Sequence, residues 1–215
     1  MKNNFEKSFS SYQKEFNKEI KIFFDNKIKN TKEKFLRSCL LSLKEYSLRP
    51  AKRIRAVLVN QGYLLAGGKE RKKILKTSIF IELIHNFLLI HDDVMDRDKK
   101  RRNKPTMQYK YGGGHHGDSM AITMGDLINS LGYELLNSSP FSVDLKNEAI
   151  DKLNKTIYLT SYGQALELCL IKNKKISKKD IFEIYKNKTA NYTFIAPLQI
   201  GAILAGANKL LLREI

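Results

Sequence analysis

Asp92, Asp93, Asp96 and Asp98 stand just before Lys99, Lys100, Arg101 and Arg102, so a run of carboxylates reverses into a run of cations. The stretch leading into them, Glu82–His91, is apolar at helical spacing. At about 3.6 residues per turn, Ile81, His85, Leu88, Asp92 and Asp96 share one face, with the Cβ atoms of Asp92 and Asp96 roughly 5–6 Å apart. Acids at the C-terminal end of a helix oppose its macrodipole and repel one another. A solvated charge run tolerates that. An apolar stripe leading straight into the acids instead predicts that they face an interior cavity. Hard carboxylate oxygens suit Mg²⁺, which takes one or two carboxylates and completes its shell with substrate phosphates. The forked donors of Arg101 and Arg102 suit those same phosphates.

Helices must position these groups, because no strand-like alternation persists anywhere and no repeat of fixed period is visible. The fold class is all-α. Phe5–Asn30 sets Phe5, Phe9, Tyr12, Phe16, Ile20, Phe23 and Phe24 at helical spacing, an amphipathic first helix. Thr31 is a candidate cap for a second, Lys34–Tyr46, with Phe35, Leu36, Leu40 and Leu43 as its apolar positions. Pro50 suits the first turn of a third helix, which Gly67-Gly68 ends. Lys52, Arg53 and Arg55 then fall in its first turns, either as surface cations or as a phosphate site made with free backbone N–H groups. A helix over Ile74–Asp96 carries the acids. His85 on its apolar face is a satisfied core residue or a ligand, and His91 is a neighbour of the acids.

Gly112–Gly117, with His115 and His116, has neither the lysine nor the spacing of a P-loop and reads as a mobile connector, with a helix resuming at Asp118. Asn137-Ser138-Ser139-Pro140 is a break. Leu145–Leu170 is a long helix in which Gly163 costs about 1 kcal/mol relative to alanine, so another helix or a substrate should approach it closely. Asn173-Lys174-Lys175 reads as a basic turn, and Ser177 with Asp180 as an N-cap opening a helix through Tyr185.

The 215 residues suit one domain, residues 1–215, and 42% hydrophobic content is enough for a sizeable core. No apolar run approaches the ~20 residues of a membrane span; the longest, Phe194–Ala207, is broken by Pro197 and Gln199. The N-terminus lacks the apolar region of a signal peptide. Cys39 and Cys169 lack metal spacing and read as packed free thiols in a reducing compartment, the cytoplasm. A net charge of +17 admits nucleic acid, an anionic membrane or diphosphate substrates. No basic patch with interleaved aromatics supports nucleic acid, and no single basic amphipathic helix dominates. Most lysines read as solvated helix exteriors, so neither a nucleic-acid partner nor stable membrane insertion is expected.

DDVMD at Asp92–Asp96 followed by RRNKPT at Arg101–Thr106 resembles the first aspartate-rich motif of the trans-isoprenyl diphosphate synthases, the polyprenyl synthetases, of the short-chain type that makes geranylgeranyl or farnesyl diphosphate. Other segments agree in order from about Leu48 to Ala207. RPAKRIRA resembles the family's GGKRIRP segment, with Pro50 and Ala51 replacing its glycines and Ala56 its closing proline. Gly125–Leu136 resembles AGDxLL, Gly163–Leu168 resembles GQxxDL with Glu167 for the aspartate, and Lys188-Thr189-Ala190 resembles KT[GA].

The resemblance implies an isoprenoid-synthase helical bundle around a central cavity, and a homodimer. It implies a Mg²⁺-dependent prenyltransferase that joins isopentenyl diphosphate to an allylic diphosphate. Asp92 and Asp96, with Asp93 nearby, are the implied metal ligands, and Asp92, Asp96, Lys188 and Thr189 the implied catalytic set. Lys52, Arg55, His85 and Arg102 would hold isopentenyl diphosphate; Arg101, Lys188, Thr189 and Gln164 would hold the allylic diphosphate. Phe87 and Leu88, below the acids, would set product length at C15–C20, geranylgeranyl above farnesyl. The family's second aspartate-rich motif is not found before Ile215, so a C-terminally truncated member is expected. A non-catalytic subunit, a terpene cyclase and a basic nucleic-acid-binding helical protein are the rival readings.

Overall fold

A computed structural model describes residues 2–173 and 176–215. The described chain is helical apart from one two-residue hairpin, as an all-α reading requires. Its contacts divide it into two compact units, residues 1–53 with 75–138, and residues 54–74 with 139–215.

In the first unit α1 (Lys2–Asn30) and α2 (Lys34–Ser47) precede α5 (Ile79–Met95) and α7 (Gly114–Asn137), which pack against each other. The spacing expected of the first helix holds: Phe16, Ile20 and Phe24 are fully buried, each stabilising by about 1.5–3 kcal/mol. The Phe5 side chain lies outside the described residues. Thr31 does not cap α2. Its hydroxyl donates to the Lys27 carbonyl at 2.8 Å, so it closes α1, and Glu33 takes the N-cap position of α2 without a side-chain bond. Leu40 and Leu43 are buried, whereas Phe35 is 70% exposed and Leu36 also faces outward. The expected Ile74–Asp96 helix is interrupted at Ser78, giving α4 (Arg71–Thr77) before α5. By length and mean hydropathy Arg71–Met95 could cross a membrane, but 67% of its apolar window is buried inside the protein. That is the burial expected of a bundle's central helix.

The third helix also starts later than expected. Pro50 lies in the turn after α2, Lys52 and Arg53 are non-helical, and α3 runs Ile54–Leu65. It ends as the glycines predict, with Gly67 at φ +88° and the Gly68 N–H on the Tyr63 carbonyl at 2.9 Å. The helix expected from Asp118 starts earlier: α6 (Met107–Lys110) turns through Gly112 and Gly113 into α7 at Gly114, which puts exposed His115 and His116 in its first turn.

The second unit packs α3 against α10 (Ala196–Leu204), and α8 (Val143–Asn173) against an eleven-residue π-helix, Tyr185–Ile195. Ser177 and Asp180 form the expected reciprocal capping box of α9 (Lys178–Ile184). A short α11 (Lys209–Glu214) follows α10. The basic turn at Lys174-Lys175 lies outside the described residues. Both cysteines are free; Cys39 is buried, but Cys169 is exposed rather than packed.

Candidate active site

The acids sit where α5 stops. Asp96 caps the helix with its N–H on the Asp92 carbonyl, Arg97 follows at φ +58°, and the Asp98 N–H returns to the Asp93 carbonyl at 3.0 Å. Lys100–Arg101 (β1) then pairs antiparallel with Lys104–Pro105 (β2). The turn residues between them, Arg102 and Asn103, have φ of +54° and +61°. Such a two-residue turn matches the twist of its strands but is normally made by Asn-Gly or Gly-Gly. With Arg53 at φ +56°, every left-handed non-glycine residue among the described residues falls in the first unit. Each costs about 1–3 kcal/mol and persists only where its surroundings over-determine it, a pattern that gathers at functional sites.

Ion pairs provide those surroundings. Asp93 is fully buried and accepts from Arg101 Nε at 2.6 Å and from the Tyr46 hydroxyl at 3.2 Å. Burial pushes the Asp93 carboxyl up, while the Arg101 and Tyr46 bonds pull it down; burial and the Asp93 charge push the Tyr46 phenol up. Arg101 Nη2 also reaches Asp98 at 3.2 Å and Asp92 at 3.8 Å. Gln108 Nε2 donates to the carbonyls of Asp93 and Asp98, and the Thr106 hydroxyl donates to the Asp98 carbonyl at 2.7 Å. Arg53, 2% exposed, pairs with buried Glu82 at 3.1 Å and also donates to Asn17 and to the carbonyls of Ser47 and Arg49.

Asp92 is half-buried and Asp96 exposed, one turn apart. Arg102 is half-buried within electrostatic reach of Arg53 and Glu82; burial and then the Arg53 charge push its pKa down. Its Nη1 is buried with no hydrogen-bond partner among the described residues. A buried donor left unmade costs about 1–3 kcal/mol, a cost that an anion at this position would remove. Lys52, exposed, precedes Arg53, and half-buried His85 lies one turn beyond Glu82. Half-buried Phe87 meets His91 edge-on at 4.7 Å, and His91 Nε2 lies 3.1 Å from the Ile122 carbonyl. His91 fills the space over Gly125, where a Cβ would overlap the imidazole. Leu88 is half-buried.

In the second unit Arg55 stacks 4.4 Å above the Tyr192 ring and donates to the Thr193 hydroxyl at 2.7 Å, both on the π-helix. That helix also carries Lys188 and Thr189. Lys188 Nζ lies 2.6 Å from Glu167 of α8, and Thr189 is exposed. Gly163 admits the close approach that its position predicted: a Cβ there would lie 3.1 Å from the Lys188 nitrogen. Gln164 beside it is half-buried.

A family model described as polyprenyl synthetase matches residues 37–214. The chain belongs to the polyprenyl synthetase family. It is 30% identical over 200 residues to the geranylgeranyl diphosphate synthase of Saccharolobus solfataricus, covering 88% of this chain and 58% of that protein. The geranylgeranyl diphosphate synthase of Methanosarcina mazei is 34% identical over 66% of this chain and 42% of its own length. The chain therefore spans about half the length of these curated relatives. Among solved structures, the geranylgeranyl pyrophosphate synthetase of Pyrococcus horikoshii superposes with a TM-score of 0.83 at 28% identity, over 98% of this chain and 61% of that one. The Corynebacterium glutamicum geranylgeranyl pyrophosphate synthase, complexed with isoprenyl diphosphate and magnesium, gives a TM-score of 0.88 at 24% identity, over 95% of this chain and 62% of that one, a likeness of fold.

Asp93, expected near the metal, is turned to other partners. Both Asp93 oxygens are taken by Arg101 and Tyr46 inside the protein, so in this arrangement Asp93 braces the arginine and does not face a metal. Among the described residues no group of three or more His, Cys, Asp or Glu is set to hold an ion. Asp92 and Asp96 remain, and two carboxylates fit Mg²⁺ that takes its other oxygens from a diphosphate and water. Sequence reasoning missed Glu45, Tyr46, Arg49, Glu82 and Gln108. Glu45 and Arg49 at i, i+4 near the end of a helix were the available signal; nothing local marked the others.

Proposed function

We propose that the chain carries the first substrate-handling part of a short-chain prenyltransferase, which joins isopentenyl diphosphate to an allylic diphosphate with Mg²⁺ as cofactor. The observation that carries this reading is the pairing of Asp92 and Asp96 with a strained hairpin whose Arg102 keeps a buried, unanswered donor. Bound Mg²⁺ would sit on Asp92 and Asp96 and supply charge neutralisation for a departing pyrophosphate. Arg101 in the first unit, and Lys188 in the second, each supply positive charge suited to a departing pyrophosphate. The Thr189 hydroxyl and the Gln164 amide present dipoles suited to an allylic cation. In the first unit Lys52, His85 and Arg102 are suited to hold isopentenyl diphosphate and orient its double bond for attack; Arg55 carries the matching charge in the second unit. Phe87, backed edge-on by His91, is the floor that limits the product to C15–C20, with geranylgeranyl diphosphate as the favoured length. The relatives named as geranylgeranyl and short-chain isoprenyl diphosphate synthases support that range. We assign the protein to the cytoplasm, consistent with two free thiols, and to a homodimer.

The test is incorporation of labelled isopentenyl diphosphate into extractable product by the purified chain, with Mg²⁺ and an allylic primer. Metal-dependent, saturable binding of both diphosphates is expected, with low turnover and C15 or C20 as the length of any product formed. Saturable binding of neither diphosphate would refute the reading.

A further inference from the structure

We propose that Glu45 and Arg49 form a positioning clamp on the Arg101–Arg102 hairpin, and through Arg102 set the affinity for the non-allylic diphosphate. The assignment of that diphosphate rests on the function proposed above; the clamp itself does not. Arg49 is 3% exposed and forks onto Glu45, with Nε at 3.1 Å and Nη2 at 2.9 Å from its two carboxylate oxygens. Its remaining nitrogen, Nη1, donates to the Arg101 carbonyl at 3.3 Å, which grips β1. Glu45 accepts from Lys104 Nζ at 2.9 Å, which grips β2, and Lys110 Nζ approaches at 3.5 Å. Arg49 also stacks 4.6 Å over Tyr46, and its own carbonyl accepts from Arg53 Nη2 at 3.2 Å. One ion pair thus holds both strands, on either side of two turn residues that are not glycine and have positive φ.

The two arginines of the hairpin depend on this clamp unequally. The Arg101 side chain has its own anchors at Asp93 and Asp98. Arg102 Nη1 has none among the described residues, so no hydrogen bond at that nitrogen fixes the guanidinium and the backbone turn carries more of its placement. Loosening the turn should therefore scatter Arg102 while leaving Arg101 in place. A planar fork is needed for the grip, and a lysine at position 49 would not reproduce it.

The experiment compares the wild-type chain with Glu45→Gln, Arg49→Lys, Lys104→Ala and Lys104→Arg. Lys104 is an exposed side chain, so its variants fold even where a change at Arg49 does not. Deuterium exchange at the hairpin amides should accelerate about tenfold in Glu45→Gln and Lys104→Ala, with α5 unchanged and with Lys104→Arg restoring protection. In the same variants KM for isopentenyl diphosphate should rise about five- to tenfold, with kcat and the allylic KM within about twofold. Unchanged hairpin exchange overturns the clamp. An equal rise in both KM values, tracking a fall in Tm, also overturns it, because that is what a merely structural role produces. A wild-type chain that neither binds nor uses isopentenyl diphosphate refutes the proposed function instead, while the exchange result still decides whether the clamp exists.

Discussion

The hairpin end of the first unit and the π-helix of the second both present family motif cations, yet they hold them differently. Around Asp92 the charges are interlocked: Arg101 on Asp93, Arg53 on Glu82 and Arg49 on Glu45, each with at least one partner buried. On the π-helix, Lys188 rests on a Glu167 whose side chain is 36% exposed, and Thr189 faces outward. Buried pairs are costly to break, because the partner left behind is desolvated. Exposed pairs contribute about 0–1 kcal/mol. The first region is therefore the more tightly preset of the two. A π-helix, with its looser i→i+5 bonding, suits the less preset region and recurs at functional sites.

The contrast is sharpest between adjacent acids. Asp92→Asn should lower turnover by about three orders of magnitude, equivalent to about 4 kcal/mol of transition-state stabilisation, while leaving Tm unchanged. Asp93→Asn should lower Tm and release Arg101. Steady-state rates beside thermal melts of both variants decide this; wild-type-like turnover in Asp92→Asn would sink the metal assignment. Next in size, Glu82→Ala leaves Arg53 buried without its anion and should cost about 3–5 kcal/mol, read by denaturant titration. A loss under about 1 kcal/mol would mean the first region is no more preset than the second.

Phe87→Ala should open the floor below the acids, since packed interiors resist extra methylenes by about 1–3 kcal/mol. Chromatography should then show products longer than the wild type's, and an unchanged distribution removes Phe87 as the stop. A smaller effect concerns pH. Burial raises the Glu45 carboxyl, but Arg49 and Lys104 outweigh it and hold it down to about 2. A depressed carboxylate contributes stability above its unfolded value and loses it as pH falls through its folded value. The Tm gap between wild type and Glu45→Gln should therefore stand at about 2–4 °C at pH 6 and close between about pH 4.5 and pH 2. The smallest shift belongs to the second region: Glu167→Gln, which removes the charge facing Lys188, should move Tm by less than about 2 °C in thermal melts.

Much of the molecule was legible because its signals are local. Helical periodicity located Phe16, Ile20 and Phe24, the paired glycines ended α3, and Ser177 with Asp180 announced the start of α9. Where the reading slipped, a competing local option had won: Thr31 bonded back to Lys27, and the helix after Pro50 waited until Ile54. The hairpin at Arg101–Lys104 escaped notice because two-residue strands carry no alternation, and because its turn lacks the glycine that usually marks one.

By itself the sequence determined the all-α class, the family, and the presence of acids and arginines at one helix end, since these follow from residue types at fixed spacing. Tertiary structure alone decided which neighbour does what. Asp92 and Asp93 are chemically identical and adjacent, yet a turn of about 100° on the helix sends one toward the surface and the other inward to Arg101 and Tyr46. Arg101 and Arg102 part in the same way, one locked among carboxylates and one left with an unanswered donor. Charge and periodicity are properties of the chain, but burial and pairing depend on segments tens of residues away, and only folding brings those segments together.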